Sequence, residues 1–206
     1  MTTLLHPVFF PNVAHFVAMI KADGIVFEVC DNYQKQTYRN RTSIYGANGK
    51  IDLNVPVVYS QKNRQLYKDV QIFNTENWQS QHLKSLESAY RTSPFFEFYI
   101  DDLMPLFTSE AKTIMDYNFK CLELIFECLQ LPFKYETTVS FELEPEGVID
   151  ARSLVNCRKE IPQSMIPYAQ VFDDKHGFLS NLSILDLLFN EGPNTELYLQ
   201  SQNLNL

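Results

Sequence analysis

Within the stretch YQKQTYRNRTSI, residues 33–44, Lys35, Arg39 and Arg41 stand among amides and hydroxyls with no acid. The whole chain carries a net charge of -8, so the basic run goes against the composition. On a strand, successive side chains alternate, and cations at odd positions share one face. Such a face can hold a phosphate or a carboxylate, Arg through its planar fork and Lys as a point charge. Gln36, Tyr38 and Asn40 project oppositely and can satisfy backbone groups or contact a sugar. The competing reading is a solvated face with Arg41 paired to Asp52, because exposed strands often carry charge that blunts edge pairing.

Two histidines fit acid–base work. His6 follows the first apolar segment, at a strand–turn–helix junction of the kind where open α/β sheets bind ligands. In Rossmann-like nucleotide-transferring enzymes a His at this junction contacts phosphate, which is an argument by analogy. His6 and His15 are nine apart, so no H-x-G-H pattern is present. His82 shares a helical face with Trp78 and Tyr90, and imidazole exchanges protons near neutral pH. His6 and His82 are thus the expected catalytic residues. Lys35, Tyr38, Arg39, Asn40, Arg41, Trp78 and Tyr90 are the expected binding residues. The alternatives are a capping or partly buried His6, and an aromatic core stripe with His82 bonded to backbone.

Other polar groups promise less. Asp101 and Asp102 are neighbours on a helix, point ~100° apart and do not converge on one proton. DDKHG, residues 173–177, reads as a turn with Gly177 supplying unusual backbone angles. Asn181, Ser183 and Asp186 read as caps of the last helix. Cys30, Cys121, Cys128 and Cys157 have no C-x-x-C spacing and no His at metal-ligand spacing, so reduced core thiols in the cytoplasm and no metal are expected. The P-loop, dinucleotide, hydrolase-elbow and zinc-protease motifs are all missing from the sequence. Net negative charge argues against a nucleic-acid partner. No apolar run reaches the ~20 residues of a membrane span, and the start MTTLLHPVFFP lacks the basic region of a signal peptide.

The elements that must position these residues follow from periodicity. The 206 residues, 45% hydrophobic and rich in Phe and Tyr, suffice for a good core. Residues 2–5 read as a strand and 12–22 as a helix with Val13, Phe16, Val17 and Ile20 on one stripe. GIVFEV, residues 24–29, reads as a buried strand broken only by Glu28. Strand–helix–strand implies a parallel pair. Asn48-Gly49 predicts a two-residue hairpin turn, pairing Ile44 with Leu53, Thr42 with Val55 and Asn40 with Val57. A helix capped by Thr75 runs to about Arg91. Another starts at Ser93-Pro94 and is kinked or ended by Pro105. A long amphipathic helix runs from Thr108 or Ser109 to about Gln130. TTVSFEL, residues 137–143, reads as a strand, 144–168 as irregular, and 182–190 as a final helix stopped by Gly192-Pro193. The expected fold is α/β. A small mixed β-sheet, strand–helix–strand plus hairpin, packs against a helical layer in a single compact domain spanning 1–206.

Three stretches, NYQKQTYRNRTSIYGANGKIDLNVPV, NWQSQHLKSLESAYRTSPFFEFYIDDL and YAQVFDDKHGFLSNLSILDLLFNEGP, together resemble the WbqC-like protein family in its short, Bacteroidetes-type form. The likeness covers nearly the whole chain in order. It implies a link to O-antigen and other surface-polysaccharide genes, with no biochemical activity attached. Many relatives carry an aromatic-Leu-Pro-Trp turn after the first strand where this chain has HPVFFPNVAHF. Two functions are therefore expected to compete. One is a transferase acting on a nucleotide-linked or phosphate-bearing sugar, with that anion as partner and the cofactor open. The other is a non-catalytic binding or assembly protein of the same pathway.

Overall fold

A computed structural model describes residues 1–60 and 64–206. The chain runs β1 (Thr2–Leu5), α1 (Val13–Ile20), β2 (Gly24–Phe27), β3 (Arg41–Gly46), β4 (Gly49–Asn54), β5 (Val57–Val58) and β6 (Gln71–Ile72). It continues through α2 (Trp78–Tyr90), α3 (Phe96–Leu103), α4 (Pro105–Thr108), α5 (Ile114–Cys128), β7 (Glu136–Thr137) and β8 (Ile149–Asp150). It ends with α6 (Asp173–His176), α7 (Ile184–Glu191) and α8 (Thr195–Ser201). Small sheets packed against helices make this a mixed α/β domain, as the patterning predicts.

β1 and β2 pair in parallel from Thr2↔Gly24 to Leu5↔Phe27. β8 pairs in parallel with β1, and β7 in parallel with β2. The sheet order is β7-β2-β1-β8, so all four strands end on the same side. α1 is buried from Val13 to Met19, as a helix inside a core must be, and packs on α8 and α7. Asn12 caps it, its side chain accepting from the His15 backbone N–H.

The hairpin forms with a different register. Ile44 pairs with Ile51, Thr42 with Leu53 and Gly46 with Gly49, so Ala47-Asn48 is the turn. The turn type explains the shift. A two-residue I′ turn at Asn48-Gly49 needs positive φ at both, yet only Gly49 has it, at +101°. Asn40 accordingly faces Val55, its Nδ2 donating to the Val55 carbonyl at 2.9 Å. Partners move by two residues, which preserves side-chain parity: Ile44, Leu53 and Val55 are buried together, while Ile51, expected on the same apolar face, is exposed.

Helix boundaries move to the residues that serve the ends. Asn77, not Thr75, precedes α2. Pro105 opens α4 at its first turn, where its missing N–H costs nothing. The long helix starts later than expected, at Thr113, whose Oγ1 accepts from the Asp116 N–H at 3.2 Å. Leu122, Ile125 and Phe126 form its buried stripe.

The C-terminal half holds the larger departures. Of the strand expected over 137–143 only Thr137 pairs, in the two-residue β7; beyond it Val139 is 97% and Leu143 77% exposed. The irregular region 144–168 contributes β8, too short for any period to reveal. Gly192-Pro193 does end α7, but a 3-10 turn at Gly192–Asn194 leads directly into α8. Gly192 has φ +53°, and a Cβ there would stand 2.6 Å from the Phe95 ring, so backbone freedom and space both require glycine. Asp186 turns inward instead of capping α7. It accepts from Tyr90 Oη at 2.8 Å, Tyr168 Oη at 2.5 Å and Gln170 Nε2 at 2.8 Å, and Ser183 alone supplies the cap. Among the described residues no helix is long and apolar enough to cross a membrane.

Candidate functional site

The sheet fixes where chemistry can gather. His6 is the first residue past β1, Glu28 the first past β2, Thr138 the first past β7, and Ala151-Arg152 follow β8. All four exits lie at the carboxyl ends of parallel strands. The chain steps from β1 to β2 to β7 in one direction and then places β8 on the far side of β1. The order therefore reverses between β1 and β8, the switch point at which open parallel sheets form a ligand crevice. His6 and Arg152 flank it.

At this edge Arg39 is fully buried, at 0% exposure. Its Nη2 donates to Asp31 Oδ2 at 2.7 Å and to His6 Nε2 at 3.0 Å. Its Cζ lies 5.2 Å from the centre of the Tyr67 ring, a cation–π distance. Asn118 on α5 donates to the Arg39 carbonyl at 2.7 Å and to Tyr67 Oη at 2.6 Å, which fastens the residue to the helical layer. Arg39 Nε and Nη1 have no hydrogen-bond partner among the described residues. Burial lowers the guanidinium pKa, against the raising influence of Tyr67 and Asp31. Burial and then the Arg39 charge push His6 well below the usual imidazole value. A hydrogen bond from the His6 ring to the Glu28 backbone opposes this. With Nε2 accepting from Arg39, the proton belongs on Nδ1; this tautomer follows from the bonding network.

Glu28 extends the cluster. Its Oε1 accepts from the Cys30 N–H at 2.7 Å and Thr138 Oγ1 at 2.9 Å, and its Oε2 stands 3.8 Å from Arg152 Nη1. Arg152 grips Asp150 with two bonds, Nε to Oδ1 at 2.9 Å and Nη2 to Oδ2 at 2.7 Å. It also donates to the Glu142 carbonyl at 2.7 Å. A cavity of about 260 Å³ opens beside Glu28, floored by Leu4 and Val26. Asp31, Glu28 and Arg152 are the members that sequence reasoning missed. Glu28 had a signal, being the one acid inside an apolar strand, where a charge is kept only if paired.

The basic run does not form one strand face. The strand begins at Arg41, and Gln36 breaks the preceding segment with φ +60°. Thr37, Tyr38 and Arg39 are consecutive and all buried, which strand alternation toward one buried face cannot give. Tyr38 donates its N–H to the Val155 carbonyl at 2.9 Å and accepts from the Phe9 N–H at 3.0 Å, which wedges the run between two loops. Tyrosines gather the cations instead. Lys35 Nζ lies 4.9 Å over the Tyr59 ring, Tyr59 packs on Tyr33 at 5.1 Å, and Tyr33 feels the charges of Arg39 and Arg41. Burial holds the Tyr33 hydroxyl up at about 12. Arg41 stands 4.0 Å from Asp52, the pairing the solvated-face reading anticipated.

His82, Trp78 and Tyr90 stand apart from this cluster. His82 packs on Trp78 at 5.2 Å and Phe9 at 5.7 Å. Burial lowers its pKa to about 4, with a backbone hydrogen bond to Asn54 opposing. Tyr90 donates to buried Asp186. Among the described residues no group of three His, Cys, Asp or Glu is arranged to hold a metal ion.

Comparison with known proteins agrees with the resemblance read from the sequence. The chain is 27% identical over 194 residues to the uncharacterized protein Rv1507c of Mycobacterium tuberculosis (strain ATCC 25618 / H37Rv), covering 82% of this chain and 84% of that protein. No solved structure matches. The model of the WbqC-like protein family matches residues 6–161, which include every member of the strand-end cluster, and the chain belongs to that family.

Proposed function

We propose that the protein is a transferase of surface-polysaccharide assembly, acting on a nucleotide-linked or phosphate-bearing sugar at the His6–Asp31–Arg39 cluster. The observation that carries this reading is Arg39, a buried guanidinium with Nε and Nη1 unpartnered, beside a neutral histidine at the sheet's switch point. A buried cation with open donors suits a phosphate, which takes two parallel N–H bonds from one guanidinium. Asp31 orients the fork until an anion binds, because it shares the Arg39 Nη2 with His6. When an anion draws Arg39 toward itself, His6 Nε2 loses its donor and regains a free lone pair. That nitrogen, unprotonated at neutral pH, can then accept a proton from an attacking hydroxyl. Arg39 meanwhile stabilises charge on the departing phosphate. His82 and Trp78 take no part.

The non-catalytic reading draws on one feature, the exposed Val139 and Leu143, which suit a partner surface better than a reaction. Thermal-shift measurements against nucleoside diphosphates and nucleotide-linked sugars separate the two. A ligand at ~100 times its Kd adds roughly 2.7 kcal/mol. The transferase reading expects such a shift in the wild type and its loss in Arg39→Lys, which keeps the charge but not the fork. No shift with any phosphate-bearing compound contradicts it.

A further inference from the structure

The two faces of the parallel sheet are covered unequally. Registered partners in a parallel pair share a side, so Leu4, Val26 and Glu136 point one way and Leu5, Phe27 and Thr137 the other. On the Phe27 side lies the helical layer. Phe27 meets Phe119 of α5 at 5.3 Å, and Phe126 of α5 meets Phe16 of α1 at 5.5 Å. The Leu4–Val26 side opens instead onto two cavities, of about 260 and 330 Å³, both lined by Val26. No residue lining either cavity belongs to a helix. Parallel sheets are found with both faces covered, so this one lacks a layer.

The loop after β7 borders this face and carries apolar side chains into solvent: Val139 and Leu143 are almost bare, and Phe141 is half-exposed. Its backbone is fastened. The Thr138 N–H donates to the Phe27 carbonyl at 3.0 Å, and Arg152 donates to the Glu142 and Leu143 carbonyls at 2.7 and 3.0 Å. The Arg152 guanidinium also stands 5.3 Å from the Phe141 ring. A surface held in place before a partner arrives loses little entropy on binding. The rim is acidic. Residues 135–151 hold five acids and no base, and Glu136, Glu142 and Glu146 line the two cavities. A second copy related by a two-fold axis would set these carboxylates against one another, and an anionic membrane would be repelled. An apolar stripe flanked by cations matches both features of the face.

We propose that this face docks a basic amphipathic helix of a partner protein. The helix sets its apolar stripe on Val26, Val139 and Leu143 and its Lys or Arg residues against Glu136, Glu142 and Glu146. It supplies the layer that the sheet lacks, as helices laid in apolar grooves do. The surface needs no phosphate ligand, so it stands or falls apart from the site proposed above.

The probe is a labelled peptide of about five helical turns, Leu on one stripe and Lys elsewhere, with a Leu–Glu peptide of the same pattern as control. Fluorescence anisotropy should show the wild type binding the Leu–Lys peptide and not the Leu–Glu one. Raising salt from about 0.05 to 0.3 M should weaken binding about tenfold. Amide NMR shifts should be confined to residues 23–28 and 134–150. Val139→Ser with Leu143→Ser should weaken binding at least about tenfold. Both side chains are exposed, so an unchanged Tm is expected of that variant. Glu142→Lys with Glu146→Lys should shift the preference toward the Leu–Glu peptide. Absence of binding, equal affinity for the two peptides, or affinity unchanged in the Ser variant overturns the proposal. So does a wild-type dimer, seen by sedimentation and lost in the Ser variant, because a second copy then holds the face.

Discussion

Arg39→Met is expected to lower the unfolding free energy by about 3–5 kcal/mol, the cost of breaking a buried ion pair from one side. The change leaves the Asp31 carboxylate without its 2.7 Å donor and His6 Nε2 without its 3.0 Å donor, both in a buried setting. Most of the loss belongs to the orphaned charge and not to the pair itself. The double variant Arg39→Met with Asp31→Leu should therefore recover a large part of it. Urea unfolding at pH 7 with a constant m-value checks both statements. A loss below about 1 kcal/mol in the single variant contradicts the buried pairing, because that is the scale of surface ion pairs.

The second large effect is acid lability well above the usual carboxylate range. His15 is held down at about 3 and His82 at about 4 by burial, and His6 is lowered by burial and the Arg39 charge. In the unfolded chain each takes up a proton near pH 6.5. The fold excludes those protons, so the stability they confer is fully present above pH 6.5 and is lost as pH falls. The loss continues to about pH 4 for His82 and about pH 3 for His15. Each histidine contributes about 1.4 kcal/mol per pH unit in that window. Asp186 acts with the opposite sign, because burial raises its pKa and the fold binds its proton more readily than the unfolded chain does. His15 and His82 together account for about two protons, or about 2.7 kcal/mol per pH unit below pH 6, with His6 adding to this slope and Asp186 opposing it. Urea midpoints measured from pH 7.5 to 4.5 should fall steeply. His82→Gln should flatten the slope by about one proton, and a stability that is level between pH 7 and 5 contradicts the burial of the three rings.

The sequence reveals what is periodic or capped. β1, α1 and β2 are legible because an apolar stripe lies between two apolar runs, and the parallel pair follows from their order. The helical layer is legible for the same reason, with starts displaced to Asn77 and Thr113 because several residues near each start can serve as caps. β7 and β8 are two residues each, too short for any period, and they complete the sheet only through tertiary pairing. At the site, His6 and Arg39 stand out by residue type. Their meeting with Asp31 does not, since Gln36 breaks the strand that alternation would extend. Tyr38 and Asn181 are seen as a sugar contact and a cap, and only coordinates place both on the same carboxylate. The hairpin register was decided by one backbone angle, at Gly49.

The central claim is that a neutral His6, bonded through Nε2 to a buried Arg39, waits at the carboxyl ends of a parallel sheet for a phosphate-bearing ligand. Nitrogen-15 NMR of the histidine side chains tests it most directly, with a nucleoside diphosphate titrated into the protein. The account predicts a His6 ring protonated on Nδ1 and uncharged at pH 6, with an Nε2 resonance that moves toward a free lone pair as the ligand draws Arg39 away. A His6 ring that titrates near pH 6.5, or an Nε2 resonance unmoved at saturating diphosphate, would contradict it.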